Sequence, residues 1–94
     1  MQKEWCVYLL KCADNTYYCG CTNDLSKRLG DHNAGKGSRY TRTRLPVELI
    51  SHSQGMTKPQ AYQLEYWVKK QPRQKKLDYL QKNGTTPPKD KSLT

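Results

Sequence analysis

Ninety-four residues with 34% hydrophobic content leave room for one modest core. A mean hydropathy of −1.05 excludes a membrane-embedded chain, and 10% aromatics argue against disorder. Seventeen Lys and Arg against 8 Asp and Glu give a net charge of +9. That field attracts polyanions, of which nucleic acid is the commonest, with a merely solvated basic face as the plain alternative.

No apolar run approaches the roughly 18 residues of a membrane span, and no secretory signal is visible, so the expected location is cytoplasmic. In a reducing compartment Cys6, Cys12, Cys19 and Cys21 are expected as packed free thiols without disulfide partners. Their spacing lacks the paired knuckles of zinc modules.

Residues 4–12 are apolar and aromatic and predict a first strand. Asp14-Asn15 marks a turn, and residues 16–21 predict an antiparallel second strand. A two-residue loop would put Tyr8 and Tyr18 on opposite faces; a three-residue loop or a bulge would put them on the same face. Thr22 or Asn23 is expected to cap a helix running to about Asn33, with Gly35 as its stop. Residues 35–45 read as a basic loop.

Residues 46–53 predict a third strand, in which Val47, Leu49 and Ser51 alternate with polar neighbours. Thr57, Pro59 and Gln60 signal a capped helix start, with Ala61, Leu64, Glu65 and Val68 as the inward stripe to about Lys70. A last helix spans residues 73–83, with Leu77 and Leu80 inward and Gly84 as its stop. The expected organisation is one domain over residues 1–84 and a tail over 85–94.

Three residues sit oddly on these faces. Leu25, Arg28, Leu29 and His32 form one helical stripe, so an arginine and a histidine share a side with two leucines. Glu65 is a carboxylate on the inward side of its own helix. Arginine can stabilise charge developing on phosphate, a lone glutamate suits a hydrated Mg²⁺, and a cation beside Tyr8 is expected to lower its phenol pKa. Together they describe phosphodiester hydrolysis. Taken singly, Arg28 and Glu65 also fit a structural ion pair, His32 a core histidine, and Tyr8 and Tyr18 ordinary sheet aromatics.

Cys6-Val7-Tyr8 and Tyr18-Cys19-Gly20 resemble the paired tripeptides of the GIY-YIG nucleases. The segments at residues 22–29, 32–33, 35–42 and 65–70 continue the likeness in order, and resemble the small bacterial branch of that family. Cys6 and Cys19 depart from the motif, and Cys21 stands where some nucleases carry lysine. The resemblance implies an α+β fold, a small three-stranded antiparallel sheet flanked by three helices. It also implies an endonuclease that uses one divalent ion, Mg²⁺ or Mn²⁺, on DNA or, less favoured, RNA.

By the same resemblance, Tyr8 corresponds to the general base or water-positioning tyrosine, and Tyr18 to the tyrosine beside the scissile phosphate. Arg28 matches the arginine that stabilises the transition state, Glu65 the metal ligand, and His32 and Tyr40 further site residues. Lys36, Arg39, Arg42, Arg44, Lys69, Lys70 and Arg73, with the rest of the run to Lys76, are expected to contact the nucleic acid. The alternatives are a nucleic-acid-binding module of weak or no catalysis on the same fold, and a partner-binding adaptor.

Overall fold

Val7, Tyr8, Leu9 and Leu10 are consecutive and all buried, which requires a strand covered on both faces. That strand is β1 (Cys6–Lys11), the centre of a three-stranded sheet ordered β2-β1-β3. The strands β2 (Tyr17–Thr22) and β3 (Glu48–His52) pair with it antiparallel. The computed structural model describes residues 4–53 and 55–84; the tail expected over 85–94 lies outside the described residues.

The β1–β2 loop decides which side chains share a face. Cys12 N–H donates to Thr16 O at 2.8 Å and Asn15 N–H to Cys12 O at 2.9 Å, closing a three-residue loop with Asn15 at φ 69°. Asn tolerates that left-handed conformation. Asp14 Oδ1 accepts from Thr16 N–H at 3.1 Å and Thr16 Oγ1 at 2.6 Å, which holds the turn. Tyr8 therefore pairs with Gly20 and Leu10 with Tyr18, so both motif tyrosines project from one face.

The predicted alternation in β3 breaks. Leu9 pairs with Ser51 but Leu10 with Leu49, a bulge that leaves Ile50 unpaired in the layer of Leu9 and puts Ser51 on the face opposite to Leu49. Among the described residues there are four helices, and α1 (Leu25–Asn33) is capped by Asp24, not by Thr22 or Asn23. Thr22 Oγ1 instead accepts from Asp24 N–H at 3.0 Å and fixes the entry to the cap. The expected basic loop also contains a short helix, α2 (Arg39–Arg42), whose first turn is held by the Ser38 side chain. Four residues are too few to show helical periodicity.

The helix α3 (Lys58–Lys70) begins with the predicted capping box of Thr57 and Gln60, and α4 (Arg73–Asn83) ends at Gly84. Val7, Leu9 and Cys19 pack against Ala61, Leu64, Val68 and Leu80 from α3 and α4. Tyr8, Leu10, Cys12 and Val47 form the other layer with Leu25 and Leu29 of α1. Asn33 joins α1 to the approach to β3: its Nδ2 donates to Val47 O at 3.2 Å, and its Oδ1 accepts from Val47 N–H at 2.9 Å. The architecture is α+β, a three-stranded antiparallel sheet flanked by three helices and the short α2.

Candidate active site

Tyr8 Oη lies 2.9 Å from His32 Nε2, and His32 Nδ1 lies 2.9 Å from Thr41 Oγ1. All three residues are buried. Thr41 Oγ1 also donates to Ser38 O at 3.4 Å. Ser38 Oγ is nearer still, 3.0 Å from Thr41 Oγ1; with its proton directed at Ser38, Thr41 can accept from His32 Nδ1–H, and in that tautomer Nε2 accepts the Tyr8 proton.

Protonation follows from burial. The Tyr8 phenol is pushed up to about 12, chiefly by desolvation, and the Arg28 guanidinium beside it offsets only part of that rise. The expectation that the cation would lower this pKa is thus corrected: loss of water outweighs the nearby charge. Burial, then the Arg28 charge, lowers the His32 pKa. At neutral pH the pair is therefore a phenol donating to a neutral imidazole.

Two glycines make room for it. A Cβ on Gly20 would stand 2.6 Å from Tyr8 Oη, and one on Gly37 would stand 2.2 Å from His32 Nδ1. Arg28 Nη2 donates to Gly37 O at 2.8 Å, so one peptide both walls the imidazole and holds the guanidinium. Around them Tyr18 lies with its ring centroid 5.2 Å from that of His32 and 6.0 Å from that of Tyr40. Tyr8, Tyr18, Arg28, His32 and Tyr40 thus gather on the α1–α2 side of the sheet.

Glu65 belongs to α3, in the layer across the sheet, where it meets the edge strand β2. Its Oε1 accepts from Cys21 Sγ at 3.4 Å and its Oε2 is 3.0 Å from Lys69 Nζ. Its side chain is only 21% exposed, so it is not turned to solvent. Burial, then the Glu65 charge, pushes the Cys21 thiol up to about 12 and keeps it protonated. Partial burial works against the Lys69 ammonium, yet the Lys69 pKa is raised, chiefly by its bond to Glu65 and the Glu65 charge. Cys19 and Tyr18 push Lys69 the same way, so its ammonium senses groups from both faces of β2.

The donor set can be weighed against a divalent ion. Among the described residues no three His, Cys, Asp or Glu side chains cluster as a metal site, and the Cys21 sulfur is a poor ligand for a hard ion such as Mg²⁺. One carboxylate suits Mg²⁺, which keeps most of its waters and takes phosphate oxygens. Glu65 fits that pattern if Lys69 releases it.

The expected nucleic-acid contacts divide. Lys36, Arg39 and Arg42 are exposed around α2. Arg44 is held by Asp14 at 2.9 Å and lies 3.9 Å from the Tyr40 ring centroid. Arg73 donates to Asn15 O and sits over Tyr17, and Lys76 donates to Val68 O and Lys69 O at the end of α3. Lys69 pairs with Glu65, while Lys70 lies over Tyr66. Sequence reasoning missed Thr41, Gly37 and the Cys21 contact. The Ser38-x-x-Thr41 spacing was a visible cap signal, and β-strand alternation, once the register is known, puts Cys21 on the side of α3.

Residues 4–78 match the family model described as the GIY-YIG catalytic domain. A UPF0213 protein of Lactococcus lactis subsp. cremoris is 51% identical over 78 residues, covering 82% of this chain and 80% of that protein. The solution structure of a UPF0213 protein from Bacillus halodurans is similar with a TM-score of 0.53 and 37% identity, covering 86% of each chain. That of a protein from E. faecalis is similar with a TM-score of 0.60 and 35% identity, again over 86% of each. The chain therefore belongs to the GIY-YIG family and, within it, groups with the UPF0213 proteins.

Proposed function

We propose that this protein is an endonuclease that hydrolyses phosphodiester bonds of DNA. The buried Tyr8–His32–Thr41 chain beside the Arg28 guanidinium carries the reading. A structural core has no need of a phenol, an imidazole and a guanidinium in one enclosure, since each must be desolvated.

With its pKa at about 12, Tyr8 is a poor resting base. It works instead as a relay. As the attacking water bonds to phosphorus, it passes a proton to Tyr8 Oη, and Tyr8 passes its own to His32 Nε2. The phosphorus–oxygen bond to the leaving group breaks, and the departing oxygen takes a proton from solvent. Arg28 meets the charge on the phosphate, while Tyr18 and Tyr40 line its approach. Glu65 would hold one Mg²⁺ or Mn²⁺, which when bound would supply a Lewis acid for a phosphoryl oxygen.

One observation favours the second reading, a binding module with weak or no turnover. Lys69 occupies the Glu65 oxygen that an ion would need. Nicking of supercoiled plasmid with Mn²⁺ or with EDTA, and Glu65→Ala prepared in parallel, separates the two. Metal-dependent nicking lost in Glu65→Ala supports hydrolysis; nicking equal in both preparations, or none in wild type, rejects it.

A further inference from the structure

Around α3, at 3.6 residues per turn, Glu65, Lys69, Tyr62, Tyr66 and Lys70 follow one another from the sheet edge to the outer face. Tyr62 is 50%, Tyr66 54% and the neighbouring Trp67 46% exposed, and among the described residues Tyr40 at 38% is the remaining large hydrophobic residue as open as this. Each carries a cation: Lys58 Nζ is 5.6 Å from the Tyr62 ring centroid and Lys70 Nζ 5.0 Å from that of Tyr66. Among the described residues, the carboxylate on this arc is Glu65, already paired with Lys69. The strip is therefore aromatic and positive, and it starts beside the candidate metal ligand.

We propose that this strip is a stacking platform for an unpaired DNA strand leading to the site, an inference that rests on nucleic acid being the ligand. Half-exposed rings reward a partner with open bases, and the lysines that lie over them reward its phosphates. A duplex offers the phosphates but keeps its base faces closed. An apolar protein surface would bury the ammonium groups without a counter-charge. Tyr62 and Tyr66, four residues apart, are separated by a rise of about 6 Å, beyond the roughly 3.4 Å per nucleotide of a stacked duplex strand. The strip suits a strand drawn out of its stacked form.

The test is fluorescence anisotropy in EDTA, with a labelled oligo-dT of about 12 nucleotides and a blunt duplex of equal length. Tyr66→Ala and Tyr62→Ala are expected to weaken oligo-dT binding roughly 5- to 100-fold each, to leave duplex binding within about twofold, and Tyr66→Phe to retain wild-type affinity. Unchanged oligo-dT binding by the alanine variants, an equal loss on duplex, or a Phe variant as weak as Ala would each overturn it. So would a dimer that Tyr66→Ala dissociates while oligo-dT affinity stays constant. Wild type that binds oligo-dT through Tyr66 but nicks no plasmid rejects hydrolysis and keeps the platform. Nicking with oligo-dT binding indifferent to both tyrosines does the reverse.

Discussion

Tyr8 lies across Gly20, its partner in the β1–β2 ladder, so closely that a single methyl at position 20 would stand 2.7 Å from the phenol Cζ. The second motif glycine is thus a steric requirement of the first motif tyrosine. Gly20→Ala is expected to destabilise the fold by about 1–3 kcal/mol through overpacking. It should also slow cleavage about 10²-fold as Tyr8 is pushed from His32. Urea unfolding and a nicking assay check this; wild-type behaviour in both would mean that the ring does not need this cleft.

Thr41 is proposed to hold the His32 tautomer. Thr41→Val keeps the shape but removes the oxygen that lies 2.9 Å from His32 Nδ1, which is expected to cost about 1–3 kcal/mol as a buried polar group is orphaned. Thr41→Ser restores the oxygen and should recover both stability and rate. Nitrogen-15 imidazole shifts of His32 supply the independent readout: a redistribution between ring nitrogens in Thr41→Val, and the wild-type pattern in Thr41→Ser.

Which parts were legible in sequence follows local physics. The α3 start was readable because Thr57, Pro59 and Gln60 each act within one turn. The same-face placement of Tyr8 and Tyr18 was open, because the choice between loop lengths depends on Asn15 accepting a positive φ, which sequence allows but does not compel. Ser51 does not share a face with Leu49, as simple alternation predicts, because a bulge shifts the register without changing composition. Arg44 and Arg73 looked like free phosphate contacts, whereas Asp14 and Asn15 O, distant in the chain, hold them. Glu65 was readable as inward from its helical stripe, but its Cys21 contact needed the strand register.

Stability should depend on pH from both sides. His32 has a folded pKa below its ordinary 6.5, so the unfolded chain takes up the proton first and stability falls as pH drops below about 6.5. Cys19 is pushed from 9.0 to about 12 and Tyr8 from 10.0 to about 12, both chiefly by burial. The unfolded chain then loses those protons first, and stability falls as pH rises above about 9. Thermal melts should peak between these limits, and Tm should drop by several degrees on either side. A flat profile from pH 5 to about 10 would contradict the burial of these groups. The cleavage rate should fall on the acid side as well, since protonated His32 cannot accept from Tyr8.

Binding to duplex should be salt-dependent, and the basic residues should differ. With roughly four to six phosphates neutralised, log K is expected to fall with log salt at a slope of about −4 to −5. Arg39→Ala, removing an exposed guanidinium, should reduce that slope by about one. Arg44→Ala should instead lower stability, because its charge is already met by Asp14 and Tyr40. Titrations at several salt concentrations, with melts of both variants, decide this. A slope near zero would remove the basic footprint.

The central claim concerns chemistry at Arg28, and its most direct test is the single-turnover rate of phosphodiester cleavage by wild type and Arg28→Ala at saturating DNA and Mn²⁺. Removing one preorganised charge-stabilising group typically slows a reaction about 10²–10³-fold, whereas losing the charged Arg28 bond to Gly37 O costs stability about 1.5–3 kcal/mol. The predicted result is a folded variant that binds DNA and cleaves it at least 10²-fold more slowly. A folded Arg28→Ala that cuts as fast as wild type would contradict the account.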